Sequence, residues 1–168
     1  MENIKIRWLK PDDCLSLKNF INKLNDAEGL GSHTKLTADD LRRDAFSDHP
    51  LFYCLIVEEN DEIRGYCMFC SIYDSDYGKK IYIEDIYVEN NLRNKKIGSA
   101  LMQVLTEYGK KNGYSKMALI SLGSNENFYT KIGFTNDTKR LGYEWYCMDI
   151  SGDNQKCQNL SNNIRFDL

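Results

Sequence analysis

Residues 81–113 constrain the fold more than any other segment. Ile81-Tyr82-Ile83-Glu84-Asp85-Ile86-Tyr87-Val88 reads as a strand, and Ile97, Leu101, Val104, Leu105 and Tyr108 then recur at the spacing of one helix face. Gly113 follows where a left-handed residue ends such a helix. Between them lies Leu92-Arg93-Asn94-Lys95-Lys96-Ile97-Gly98-Ser99, a loop that runs into the helix start. Unpaired N–H groups and the helix dipole make that place a cradle for an anion such as a pyrophosphate. Residues 92–111 carry five basic side chains against one acidic one, although a merely solvated helix start is charged too.

The rest of the chain supplies a sheet for this helix to cover. Ile4, Ile6 and Trp8 alternate as in a half-buried strand, and Pro11-Asp12-Asp13 opens a helix with Leu17, Phe20, Ile21 and Leu24 on one face. Thr37 with Asp40 resembles a capping box for a short second helix that stops before His49-Pro50. Strands are expected over 51–58, 63–73 and 80–88, the first two joined by a turn at Glu59-Asn60-Asp61-Glu62. After the long helix come a strand over 116–122, a short helix over 125–131 stopped near Gly133, and a last strand over 143–150. The fold class is therefore α/β (α+β), a mixed central sheet flanked by helices, with residues 1–150 as one domain and 151–168 as a polar tail.

Composition narrows the function. Twenty-two basic residues against 25 acidic ones give a net charge of −3, which offers no footing for a polyanion, so nucleic acid is not the expected partner. Apolar runs such as Leu51 to Val57 are strand-length, which predicts a soluble, cytoplasmic protein without a membrane partner. The six cysteines are expected to be reduced. Cys67-x-x-Cys70 has no second Cys/His pair at metal-ligand spacing, and residues three apart in a strand face opposite sides, so no metal is expected.

Glu84 and Asp85 are adjacent acids in an otherwise apolar strand. By strict alternation at least one of them points where apolar side chains pack, which needs compensation by a cation or an edge position. A third piece, Asn125-Glu126-Asn127-Phe128-Tyr129-Thr130-Lys131-Ile132-Gly133-Phe134, would alone be read as core.

Taken in order, the strand, the Arg-x-x-x-x-Gly cradle at 93–98, the amphipathic helix and Phe128-Tyr129-x-x-x-Gly133-Phe134 resemble the GCN5-related N-acetyltransferase (GNAT) superfamily. Lys96 departs from that pattern, standing where the family usually has the first glycine of its pair, and Asn94 replaces a common glycine. Asp13-Cys14, the run Leu36 to Pro50, Cys54 to Glu58, Tyr82 to Asp85 and Trp145 look like the spermidine/spermine (diamine) and thialysine N-acetyltransferases. The loop from Ser121 to Asn125 looks more like glucosamine-6-phosphate N-acetyltransferase.

The resemblance implies a GNAT fold, acetyl-CoA as co-substrate, a small-molecule amine as acceptor, direct attack in a ternary complex and a homodimer. It implies Glu84 as the base, Tyr129 as the acid, and Ile86, Tyr87, Val88, Arg93, Asn94, Lys95, Lys96, Ile97, Gly98, Ser99 and Asn125 as the acetyl-CoA site. Glu28, Glu84, Asp85, Glu144 and Trp145 would meet the acceptor. Acetylation of glucosamine 6-phosphate or protein lysines, and acyl-CoA binding without turnover, remain as alternatives.

Overall fold

The computed structural model describes residues 4–31, 33–93, 95–121 and 125–136. Its contacts divide the chain into two units, Met1–Gly133 and Phe134–Leu168, and the fold is that of the first. Asn94, Glu144, Trp145, the expected strand over 143–150 and the tail 151–168 lie outside the described residues.

Among the described residues, nine strands and α-helices follow one another: β1 (Ile4–Trp8), α1 (Cys14–Ala27), α2 (Ala38–Phe46), β2 (Tyr53–Glu59), β3 (Glu62–Asp74), β4 (Gly78–Val88), α3 (Ile97–Lys111), β5 (Lys116–Leu119) and α4 (Glu126–Lys131). The strands form one sheet in the order β1-β2-β3-β4-β5. All neighbours are antiparallel except β4 and β5, which run parallel around the α3 crossover. This is the mixed sheet flanked by helices that the sequence leads one to expect.

Local chemistry explains most boundaries. Pro11–Asp13 forms a single 3-10 turn before α1, a start at which proline loses no helical bond. The Thr37 hydroxyl accepts from the Asp40 amide at 3.0 Å, and the Asp40 carboxylate accepts from the Thr37 amide at 2.9 Å, so the expected capping box is present. Asn60 and Asp61, with φ of +52° and +64°, make the two-residue turn between β2 and β3, tighter than the four-residue turn read from the sequence. Gly113 (φ +74°) ends α3 as expected.

Two cores cover the two sheet faces. On one, Leu17 and Phe20 of α1 and Leu41 of α2 pack on Cys54, Ile56, Tyr66 and Met68. On the other, Tyr108 of α3 meets Tyr53 and Phe69, whose ring centroids lie 6.4 and 5.6 Å away, and a side chain at Gly109 would press on Ile81 at 3.2 Å. Arg7 of β1 ties the start of α1 to the sheet. It pairs with Asp13 through two nitrogens at 2.7 and 3.1 Å and with Glu58 of β2 at 2.5 Å. Cys14, Cys54, Cys67 and Cys70 are free thiols.

Candidate active site

The strand bearing the two acids is not regular. Met68 pairs with Asp85 but Phe69 pairs with Ile83, so Glu84 is an extra residue in β4. Alternation is thereby reset between the two carboxylates. Ile83 and Ile86 both keep to the α3 face, and Glu84 and Asp85 both project toward the α1 face. The expectation that neighbouring acids must point to opposite sides fails for this reason, and the bulge itself has no signal in the sequence.

The two acids differ in surroundings. Asp85 is half-buried and accepts a hydrogen bond from the Tyr66 hydroxyl at 2.8 Å. Burial pushes its pKa up, and the Tyr66 bond pulls the other way. Glu84 is exposed at the bulge, and partial desolvation, then the Asp85 charge, raise its pKa from the ordinary glutamate value. A carboxylate so raised takes a proton more readily at neutral pH.

Other groups gather around Asp85. Burial and the Asp85 charge push the Cys67 thiol up to about 12. The Glu28 carboxylate, at the end of α1, is near enough to raise the phenols of both Tyr66 and Tyr129. Tyr129, on α4, is raised first by burial, while a hydrogen bond with Ser121 lowers it. Its phenol thus keeps its proton through neutral pH. The structure brings Glu28, Glu84, Asp85 and Tyr129 of the sequence-derived set together, and adds Tyr66 and Cys67. Sequence alone marks neither of these two, because a tyrosine or cysteine in an apolar strand looks like core until the register says what lies opposite.

The sheet opens beside these residues. β5 pairs with β4 only from Lys80↔Lys116 to Ile83↔Leu119, and the pairing ends one residue before Glu84. Glu89 gives its N–H to the Arg64 carbonyl of β3 at 2.9 Å. By alternation from that bond, Asp85 and Tyr87 spend their backbone groups on β3, whereas Ile86 and Val88 turn theirs to the edge that β5 leaves. Arg93 Nε meets the Val88 carbonyl on that edge at 3.3 Å. Of Ile86, Tyr87 and Val88, the three residues of this strand expected at the acetyl-CoA site, Ile86 and Val88 turn their amides to that edge. Tyr87 instead stacks its ring edge-on against Phe20 of α1 at 5.9 Å.

At the cradle, Lys96 caps the start of α3 in the left-handed conformation (φ 62°, ψ 15°), and Lys95, Lys96 and Ser99 are exposed. Ile97 is buried, so it faces the cradle through its backbone alone. Gly98 lies against α4: a side-chain carbon there would come within 3.1 Å of the Phe128 ring. That close approach fixes the start of α3 beside the Phe128-Tyr129 pair, which explains why both motifs occur in one chain. Asn125 is exposed at the N-cap of α4.

A helix start, a positive loop and an open strand edge leading to carboxylates fit a phosphate-bearing thioester on one side and a cation on the other. Comparison with known proteins agrees. The acetyltransferase (GNAT) family model matches residues 18–134. The chain is 29% identical over 164 residues to the pig (Sus scrofa) thialysine N-epsilon-acetyltransferase, covering 91% of this chain and 95% of that protein. It is 31% identical over 156 residues to the human (Homo sapiens) spermidine/spermine N(1)-acetyltransferase-like protein 1, covering 87% of this chain but 22% of that longer protein. It is 30% identical to glucosamine 6-phosphate N-acetyltransferase of Arabidopsis thaliana, covering 83% of this chain and 95% of that one. Among solved structures, an integron cassette protein from the mobile metagenome of V. cholerae superposes with a TM-score of 0.72 at 20% identity, covering 92% and 98% of the two chains. A predicted acetyltransferase from Clostridium acetobutylicum, solved with acetyl-CoA, gives 0.64 at 22% identity, covering 87% and 96%. The chain belongs to the acetyltransferase (GNAT) family and is an acetyl-CoA-dependent N-acetyltransferase.

Proposed function

We propose that this enzyme acetylates a primary amine of a small polycation, of the diamine, spermidine/spermine or thialysine kind. The observation that carries the reading is the pair of carboxylates that the β4 bulge turns to one side, with Glu28 in electrostatic reach of the same place. Anions that are partly desolvated attract an ammonium ion more strongly than surface charges do. They also repel a sugar phosphate. The likeness to glucosamine 6-phosphate N-acetyltransferase keeps that substrate as the competing reading.

In this reading acetyl-CoA lies with its pyrophosphate at residues 93–99 and its thioester along the open edge of β4. An alkylamine with a pKa near 10 arrives as the ammonium ion, and Glu84 takes its proton, directly or through water. The free amine attacks the thioester carbonyl, and the N–H groups of Ile86 and Val88 receive the oxyanion. As collapse breaks the C–S bond the nitrogen sheds its second proton, and Tyr129, whose phenol that proton restores, gives its own to the departing thiolate. That transfer is only mildly uphill, from a phenol of about 10 to a thiol of about 8.5 before environmental shifts. The enzyme works in the cytoplasm as a homodimer in this reading, with residues 1–150 as the catalytic domain.

One competition panel tests it. Spermidine, spermine, thialysine, a monoamine, glucosamine 6-phosphate and a lysine peptide are each offered with acetyl-CoA while free thiol is read. Polyamines should give the highest kcat/KM. A preference for the sugar phosphate or the peptide overturns the polyamine reading.

A further inference from the structure

Tyr66 lies midway along β3, opposite Tyr87 of β4, with none of its surface exposed. Its ring belongs to the core under α1 and α2, where a phenylalanine would fill the same space. The hydroxyl is therefore surplus to packing, and burying it is tolerable only because it has a partner. That partner is Oδ2 of Asp85, at 2.8 Å. The bond fixes the direction of a carboxylate that burial would otherwise drive toward its neutral form.

We propose that Tyr66 is a positioning residue of the acceptor subsite, its hydroxyl holding Asp85 as an oriented anion for the ammonium group of the incoming amine. The inference rests on the polyamine reading of the site. The ionisable groups facing Asp85 come from three strands: Tyr82 and Glu84 on β4 itself, Tyr66 and Cys67 on β3, and Cys54 on β2. Glu28 at the end of α1 acts on Tyr66, and Tyr129 on α4 lies in reach of Cys67 and Glu28. The Glu84 charge beside it opposes ionisation of Asp85. The Tyr66 hydroxyl is a donor that favours it.

Tyr66→Phe in the full chain removes the donor and keeps the ring. The KM for spermidine should rise about tenfold, the scale of one hydrogen bond to a charged group, with kcat and the KM for acetyl-CoA held within about twofold. The acid limb of 1/KM for spermidine against pH should move to higher pH, because Asp85 without its donor stays protonated longer. In an Asp85→Asn background the same change should add little, since the carboxylate it serves is gone. A residue that only packs would instead lower stability, kcat and acetyl-CoA affinity together and act additively with Asp85→Asn. An unmoved acid limb with wild-type KM overturns the proposal while leaving the polyamine reading in place, and so does additivity. A Tyr66→Phe chain that does not fold also overturns it, because the hydroxyl is then structural. If wild-type enzyme takes glucosamine 6-phosphate and none of the amines, the reading of the site falls first and this inference falls with it.

Discussion

Lys96 offers a direct measure of how the cradle is built. It caps α3 with φ 62° and ψ 15°, a conformation in which a side chain costs about 1–2 kcal/mol because Cβ crowds the following carbonyl. Glycine escapes that crowding but loses about 0.5–1 kcal/mol more backbone freedom on folding. Lys96→Gly should therefore stabilise the protein by about 0.5–1 kcal/mol, or raise Tm by about 1–4 °C for a chain of this length. Lys96→Ala deletes the same charge and keeps the strain, so the two variants should differ in stability by about 1 kcal/mol in favour of glycine. Both should bind CoA about two- to fivefold more weakly, the weight of one exposed charge near a phosphate. Urea unfolding of the three proteins gives the first comparison, and calorimetric titration with CoA gives the second. An alanine variant as stable as the glycine variant would refute the left-handed cap. Unchanged CoA affinity in both would remove the Lys96 ammonium from the cradle.

Tyr129→Phe keeps the ring beside Phe128 and deletes only the proton, so steady-state kinetics should show kcat down by about 10²-fold with acetyl-CoA binding little changed. Glu84→Gln should lower kcat and also raise the melting temperature at pH 7. The folded-state pKa of Glu84 is raised, so the wild type loses stability as pH climbs through the unfolded value of about 4.3, and the gain should vanish by pH 4. Arg7→Met leaves Asp13 without its guanidinium and Glu58 with Lys5 alone, their side chains being 13% and 7% exposed, and should cost about 1–3 kcal/mol in urea unfolding at pH 7. Both acids have lowered pKa values in the fold, so wild-type stability is full above pH 4 and lost as pH falls further, and the gap between wild type and variant should narrow in acid.

Where the sequence proves legible, local rules decide the structure. The α3 stripe, the Thr37-Asp40 box, the proline start of α1 and the glycine stop at 113 each follow from interactions within a turn or two, and each is found where those rules put it. The strand expected over 116–122 pairs with β4 only through Leu119, because where pairing stops depends on the neighbouring strand and not on its own residues. The same distinction runs through the site. Glu84 and Asp85 stand out as acids in an apolar strand and Tyr129 only through its place after the cradle, whereas Tyr66 looks like core until β3 and β4 are in register.

The bulge at Glu84 explains why one short stretch of β4 can do so much. A strand edge can offer N–H groups to a ligand only where no neighbouring strand takes them, and β5 stops pairing at Ile83. Without the extra residue, Glu84 and Asp85 would lie on opposite faces, one of them against the packed α3 side where Ile81 and Ile83 are almost fully buried. The extra residue moves both acids to the α1 side and leaves Ile86 on the α3 side, with its amide on the open edge. In the proposed mechanism the anionic subsite and an oxyanion donor therefore come from three consecutive residues, Glu84 to Ile86. In that mechanism the residues assigned to hold the amine and the residue assigned to receive the oxyanion are backbone neighbours, spaced about 3.3 Å per residue along the strand. That proximity does not depend on any loop closing.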